Sequence, residues 1–325
     1  MDVCRQLIRT VAIALAAGAA SGALAQAGYP TKPVKIVVPY SAGGPADIYA
    51  RFVGDRLQKS TGQPFVIENR PGAGAIIGTD AVAKSAPDGY TLLMMSNTHT
   101  VNESLFTKKP YTLLRDLAPI SPVNYSDLIL VVHPSVPANN LKELIALAKA
   151  KPGALNYASS GPGTPYHMAG ELFKAMAGID VVHVPHKGSA EARTDVLAGN
   201  VQMMFDAITT MAPLVQSGKV RAIATSGKTR SSITPNVPTM SEAGLPGYDA
   251  VIWLGMMAPA GTPKAIIEAL NADIQKIVKT PDVMETWARQ GAVPMLMSAD
   301  EFGKFMEQDI QKWAKVVKIS GARVD

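Results

Sequence analysis

The chain has 325 residues, 47% of them hydrophobic, with a formal net charge of +5 and a single cysteine. One cysteine makes no internal disulfide, so burial alone must hold the fold, and a chain of this length tends to divide into two domains. The charge is mild and the lysines and arginines are scattered without a run of five, which argues against a nucleic-acid face.

Residues 1–25 have the form of a secretory leader. Arg5 and Arg9 give a basic start, Val11 to Ala20 an apolar run, and Ala23-Leu24-Ala25 a small-x-small cleavage pattern. The run is mostly Ala and Gly, too weakly apolar for a membrane span of roughly 20 residues. Cleavage before Gln26 would remove Cys4, Arg5, Arg9 and Asp2 and leave a thiol-free chain of charge +4, with no cysteine to carry a lipid. A free periplasmic protein is expected.

From there the pattern repeats strand, glycine-bearing turn and helix. Val34 to Val38 predicts a strand, Ser41 to Pro45 a turn, and Asp47 opens a helix with Ile48, Phe52, Val53 and Leu57 on its apolar face. Phe65 to Ile67 is a second strand, Ile76 to Lys84 a small-residue helix, and Tyr90 to Met95 a third strand. Ile120 to Val132 reads as a long strand broken at Asn124-Tyr125-Ser126, a candidate crossing between lobes. Strands at Asn156 to Ser159, Val181 to Val184, Val201 to Phe205 and Val220 to Thr225 follow, with helices between them. Ala250 to Met257 reads as a return strand. Thr262-Pro263 then opens a helix with Ile266, Ile267, Leu270, Ile274 and Ile277 at helical spacing. The alternation predicts an α/β protein of two lobes, each a mainly parallel sheet flanked by helices. Lobe one is expected over 26–124 plus 250–325, and lobe two over 125–249.

Three turns join a strand to a helix and are rich in glycine and hydroxyls. They are Tyr40-Ser41-Ala42-Gly43-Gly44-Pro45-Ala46-Asp47, Ser159-Ser160-Gly161-Pro162-Gly163-Thr164 and Lys187-Gly188-Ser189-Ala190. In open α/β sheets the ligand crevice lies beyond the carboxyl ends of the strands, and helix starts there offer free N–H groups to an anion. Asp47 and Thr164 also suit helix caps, and Ser160 a turn hydrogen bond. His167 suits either the crevice or the helix packing. Tyr40, Tyr166 and Trp253 suit either a pocket for a flat ring or packing.

Enzyme motifs fail on spacing. Ser160 is not in a Gly-x-Ser-x-Gly elbow, and Gly227-Lys228-Thr229 lacks the first glycine of a phosphate loop because Ala222 stands there. His183 and His186 are three apart without the glutamate of a zinc hydrolase. In Gly72-Ala-Gly-Ala-Ile-Ile-Gly78 the third glycine of a dinucleotide fingerprint comes one residue late, and no acid ends the next strand. No metal site is expected.

Read together, these segments resemble the Bug-type receptors, the extracytoplasmic solute receptors of tripartite tricarboxylate transporters. The resemblance spans the chain after the leader. It is carried by Tyr29-Pro-Thr-Lys-Pro-Val34, Ala42-Gly-Gly-Pro-Ala-Asp47, Glu68-Asn-Arg-Pro-Gly-Ala-Gly74 and Ala86-Pro-Asp-Gly-Tyr-Thr-Leu92. Ser160-Gly-Pro-Gly-Thr164 with His167, Val184-Pro-His-Lys-Gly188, Gly199-Asn-Val-Gln-Met-Met-Phe-Asp206 and Ala258-Pro-Ala-Gly-Thr-Pro263 continue it. It implies a Venus-flytrap binding protein without cofactor or catalysis. Such a receptor captures a small carboxylate between its lobes, closes on it and hands it to a membrane permease. It implies a site built by the three turns, with His167 adjoining and Asp195 facing them; Asp206, at the end of the Val201 strand, matches the family without a defined role. A sensing receptor of the same fold is the alternative, with a secreted enzyme third. A monomer is expected, since no apolar heptad is visible. Three positions depart from the family: His186 replaces the common Tyr, Glu191 the frequent Pro, and Ala75 the usual Gly. Glu191, if it faced the cleft, would repel a second ligand carboxylate or pair an amino group.

Overall fold

A computed structural model describes residues 28–322; the leader lies outside them. The first sheet is seeded by three parallel strands, β1 (Val34–Val38), β2 (Phe65–Asn69) and β3 (Thr91–Ser96), with β1 in the middle. In β1 only Lys35 is exposed, as expected of a strand covered on both faces. The second sheet is seeded in the same way by β5 (Asn156–Ser159), β6 (Val182–Pro185) and β7 (Met203–Ala207), with β5 in the middle.

Two further strands join the sheets. β4 (Leu117–Val132) pairs with β9 (Val251–Pro259) through Asp127↔Val251, then turns to β7 from Leu128↔Ala207 onward. β9 also pairs with β3, while β8 (Arg221–Thr225) adds to the C-terminal end of β4 and β10 (Ala292–Pro294) to its middle, at Asn124 to Ser126. Every antiparallel pair among these strands includes β4 or β9, so parallel order belongs to the βα units and antiparallel order to the strands at the hinge. The change of sheet falls at Asp127–Leu128, just beyond the break expected at Asn124-Tyr125-Ser126.

Eleven helices are present among the described residues. α1 (Pro45–Thr61), α2 (Ile76–Ala83), α3 (Thr98–Leu105) and α4 (Leu113–Asp116) follow strands β1 to β3. α5 (Leu141–Ala150), α6 (Pro165–Ala177), α7 (Ser189–Leu197) and α8 (Ile208–Gln216) belong to the second sheet. α9 (Lys264–Val278), α10 (Pro281–Gln290) and α11 (Ala299–Ser320) complete the chain. α1 starts on Pro45, buries Tyr49, Ala50, Val53 and Leu57, and stops at Gly62, whose φ of 73° lets its N–H reach Gln58. α11 starts with a Ser298–Glu301 capping box and buries Phe302, Met306, Asp309 and Trp313 along one face. Gly255 in β9 leaves room for the tip of the Phe302 ring, which a Cβ there would strike. Sequence periodicity did not reveal α3 or β10. α3 buries Thr98, His99, Thr100 and Asn102 beside only Val101 and Leu105, too short an apolar stripe to read. Its polar groups are paired instead: Thr100 donates to Asp309 at 2.6 Å, Asn102 to the Gly74 carbonyl at 2.8 Å, and His99 meets Thr79 at 2.8 Å.

Candidate functional site

Asp47 organises the first turn. Its carboxylate accepts hydrogen bonds from the Gly43 N–H at 3.0 Å and from Asn69 at 3.0 Å, and pairs with Arg51 at 2.9 Å. Asn69 also donates to the Tyr40 carbonyl at 3.1 Å, tying the end of β1 to β2. Burial alone would raise the Asp47 pKa, but the hydrogen bonds from Arg51, Gly43 and Asn69 outweigh it and hold the acid below its usual range. The N-cap of α1 is Gly44, which has no side chain, so the start of α1 is uncapped.

The second turn is held by hydroxyls and histidines. Ser159 Oγ accepts from the Gly161 N–H at 3.1 Å and meets His183 Nε2 at 2.6 Å. Thr164 caps α6 by accepting from the His167 N–H, and donates to the Gly161 carbonyl at 2.7 Å. His167 Nδ1 accepts from the Gly163 N–H at 3.1 Å, and its ring centroid lies 4.2 Å from that of His183. Burial, reinforced by Lys174, lowers His167 to about 4, and burial with His167 beside it lowers His183 to about 3. Both rings are neutral near pH 7 and serve the turn.

The third turn opens α7, and its N-cap Gly188 likewise has no side-chain cap. Glu191 is exposed and accepts from the Lys187 N–H at 3.2 Å, so it is directed back along its own turn. His186 Nε2 meets Asp195 at 2.7 Å, and that bond first, then Asn200, lowers the Asp195 pKa. Asp206 is fully buried, with Arg193 Nε donating to it at 2.9 Å. Burial raises the Asp206 pKa, and Arg193 opposes the rise.

The first and third turns meet across the cleft. A Cβ built on Gly43 lies 3.6 Å from Ala190, one on Gly44 lies 2.9 Å from Ser189 Oγ, and one on Gly188 lies 2.7 Å from the Ser41 Cβ. The lobes are shut. Between them is a small inner cavity, with about 20 Å³ open to the centres of water-sized groups, lined by Tyr40, Ser41, Gly44, Pro45, Ala46, Ser96, Ser160, Pro165, Tyr166, Ser189, Ile252 and Leu254. Its walls therefore include the uncapped starts of α1 and α7, one from each lobe. Tyr40 OH is engaged with Ser96 at 2.7 Å, whereas the Tyr166 hydroxyl is buried without a partner. An outer chamber of about 560 Å³ shares Tyr40 and Ser160 with it and is bordered by Gly74, Phe106, Lys108, Gly161, His186 and Lys187.

Of the residues singled out from sequence, Tyr40, Ser41, Gly44, Pro45, Ala46, Ser160, Tyr166 and Ser189 line the inner cavity, and Gly161, Pro162 and Lys187 the outer chamber. Ala42, Gly43, Asp47, Ser159, Gly163, Thr164, His167, Gly188 and Ala190 shape the turns without lining either space. Asp195 and Asp206 lie outside both, engaged with His186 and Arg193. Sequence reading passed over Ser96, Ile252 and Leu254. Ser96 ends β3, where the crevice rule points. Ile252 and Leu254 alternate with Val251 and Trp253, so Trp253 faces away from the cavity. It borders a separate groove of about 910 Å³ behind the hinge, with Asp127, Lys228 and Lys312.

Two lobes shut over a cleft whose walls are strand-to-helix turns define the class of periplasmic binding proteins. Residues 49–322 match the model of the tripartite tricarboxylate transporter family receptor, and the chain belongs to that family. It is 39% identical to Protein BugT of Bordetella pertussis over 321 residues, 98% of each chain. Among solved structures it is similar to Rpa4515 of R. palustris with adipate, with a TM-score of 0.87, 33% identity, and 90% of this chain and 98% of that one covered. It is also similar to MatC of Rhodopseudomonas palustris with bound malate, with a TM-score of 0.85, 31% identity, and 89% and 100% covered. No helix among the described residues is long and apolar enough to cross a membrane.

Proposed function

We propose that this chain is a periplasmic receptor that binds a small carboxylate between its lobes, delivers it to a membrane permease and catalyses nothing. The observation that carries the reading is the meeting of two helix starts, α1 from one lobe and α7 from the other, neither capped by a side chain, at one buried cavity. Each start presents free N–H groups and the positive end of a helix dipole, and a carboxylate can accept from both at once. Ser41, Ser160, Ser189 and Tyr166 add hydroxyls to the same space. The side chains suited to acid–base work are otherwise engaged, since Asp47 and His167 hold turns. Adipate and malate, bound by two similar proteins, are small dicarboxylates.

The lobes are taken as 26–124 plus 250–325 and 125–249, a division supported by the change of sheet along β4. The ligand is proposed to act by differential affinity: it contacts both lobes only when they are shut, and so shifts the population to the closed form that a permease would recognise. The monomeric state belongs to the same reading.

A thermal-shift panel on protein starting at Gln26 tests it. The panel holds adipate, malate, citrate, aspartate and benzoate, each beside its amide. A carboxylate at about 100 times its Kd adds about 2.7 kcal/mol of stability, a clear rise in melting temperature. The expected result is a rise with at least one acid and none with its amide. Equal responses to acid and amide would sink the carboxylate reading.

A further inference from the structure

We propose that Gly188 is the residue that permits full closure: its missing side chain is the space into which Ser41 of the opposite lobe fits. The inference deepens the reading of this cleft as a closing one and rests on it. Six glycines stand where the lobes touch: Gly43, Gly44, Gly74 and Gly291 in the first lobe and Gly163 and Gly188 in the second. Gly43, Gly74, Gly163 and Gly291 have φ of 82°, 60°, 73° and 81°, so local backbone geometry explains their identity. A Cβ on Gly44 would meet only the Ser189 hydroxyl, a side-chain end that can turn away.

Gly188 is different on both counts. Its backbone is extended, with φ −168° and ψ 163°, a conformation any residue adopts, so its own turn does not require glycine. A Cβ there would lie 2.7 Å from the Ser41 Cβ and 3.5 Å from the Ser41 Cα. Those atoms cannot rotate aside, because they are fixed to the backbone of the β1–α1 turn that Asp47 pins through Gly43. The collision exists only between lobes. An alanine would therefore leave each lobe unstrained and stop the cleft short of the position in which the starts of α1 and α7 share one cavity. Gly188 acts by positioning the two turns.

Closure can be read without a ligand by cross-linking. The Gly44 Cβ position lies 2.9 Å from Ser189 Oγ, close enough for cysteines at these two sites to bridge when the lobes are shut. The base protein is the chain from Gln26 carrying Gly44→Cys and Ser189→Cys, which lacks Cys4 and so has no other thiol. Its disulfide formation under a fixed oxidant is compared with and without Gly188→Ala. Overpacking of this kind is expected to slow cross-linking about 10- to 100-fold with the melting temperature of the reduced protein unchanged. Adding Ser41→Gly should restore the rate, because it removes the atom that the added methyl group would strike. Ser41→Val should slow cross-linking from the other side, which keeps the test open if Gly188→Ala fails to fold. An unchanged rate in Gly188→Ala, or a slow rate that Ser41→Gly leaves slow, overturns the proposal. The assay holds no carboxylate, so its failure is distinct from a failure of the thermal-shift panel.

Discussion

Asp47 and Ser160 both belong to cleft turns, yet they do different work. Asp47 receives two hydrogen bonds and an ion pair and does not line the cavity, whereas Ser160 lines both the inner cavity and the outer chamber. Asp47→Ala is expected to lower stability by about 1–3 kcal/mol, because it leaves the Gly43 N–H without its acceptor and Asn69 with only the Tyr40 carbonyl. It should also weaken carboxylate binding through the loosened turn. Ser160→Ala is expected to weaken binding by about tenfold, the loss of one hydrogen bond to a charged group, with melting of the free protein unchanged. Calorimetric titration beside thermal melts separates the two; an Asp47→Ala protein as stable as its parent would contradict this assignment. From sequence alone Asp47 was readable as cap or ligand, because the choice depends on Gly43 and Asn69 folding toward it. Ala75 shows the reverse case. A departure from the family's glycine was visible in the sequence, and its φ of 74° gives the departure a physical cost, about 1–2 kcal/mol for a left-handed alanine.

At the level of elements, β1 was legible because its β-branched run ends at Pro39, and β5 falls on the Asn156 to Ser159 segment that precedes a glycine turn. α3 was not, since four of its six buried residues are polar and their partners come from α2, α11 and the Gly74 turn. The β5–α6 turn has a consequence for pH. His167 and His183 hold it as neutral rings at about 4 and about 3, and buried His99 is lowered to about 4 in the first lobe. A base whose folded pKa lies below its unfolded value of about 6.5 contributes stability that is complete above 6.5 and is lost as pH falls toward the folded value. For His167 the loss is on the order of 3 kcal/mol. Melting temperature should therefore drop between pH 6.5 and 4, and the drop should shrink in a His167→Gln, His183→Gln protein. An unchanged acid slope in that variant would show that the histidines are not the linked groups.

For the whole molecule, the change of sheet along β4 falls within a few residues of Asn124-Tyr125-Ser126, which interrupts an otherwise apolar strand. The faces of β9 were not legible in the sequence: every residue from Ile252 to Pro259 is buried, so alternation gives no sign of which side meets the cleft and which the groove behind the hinge. Nor did sequence separate the cavity-lining residues from those that only shape the turns, a distinction set by how the lobes meet. That meeting is the centre of the account: a carboxylate held at once by the start of α1 and the start of α7. Backbone amide NMR tests it most directly. On titration with the acid that raises the melting temperature, the N–H signals of Ala46 and Asp47 in one lobe and of Ser189, Ala190 and Glu191 in the other should shift together and saturate at one Kd. Shifts confined to one lobe, or signals in both turns that stay still while the acid binds, would contradict it.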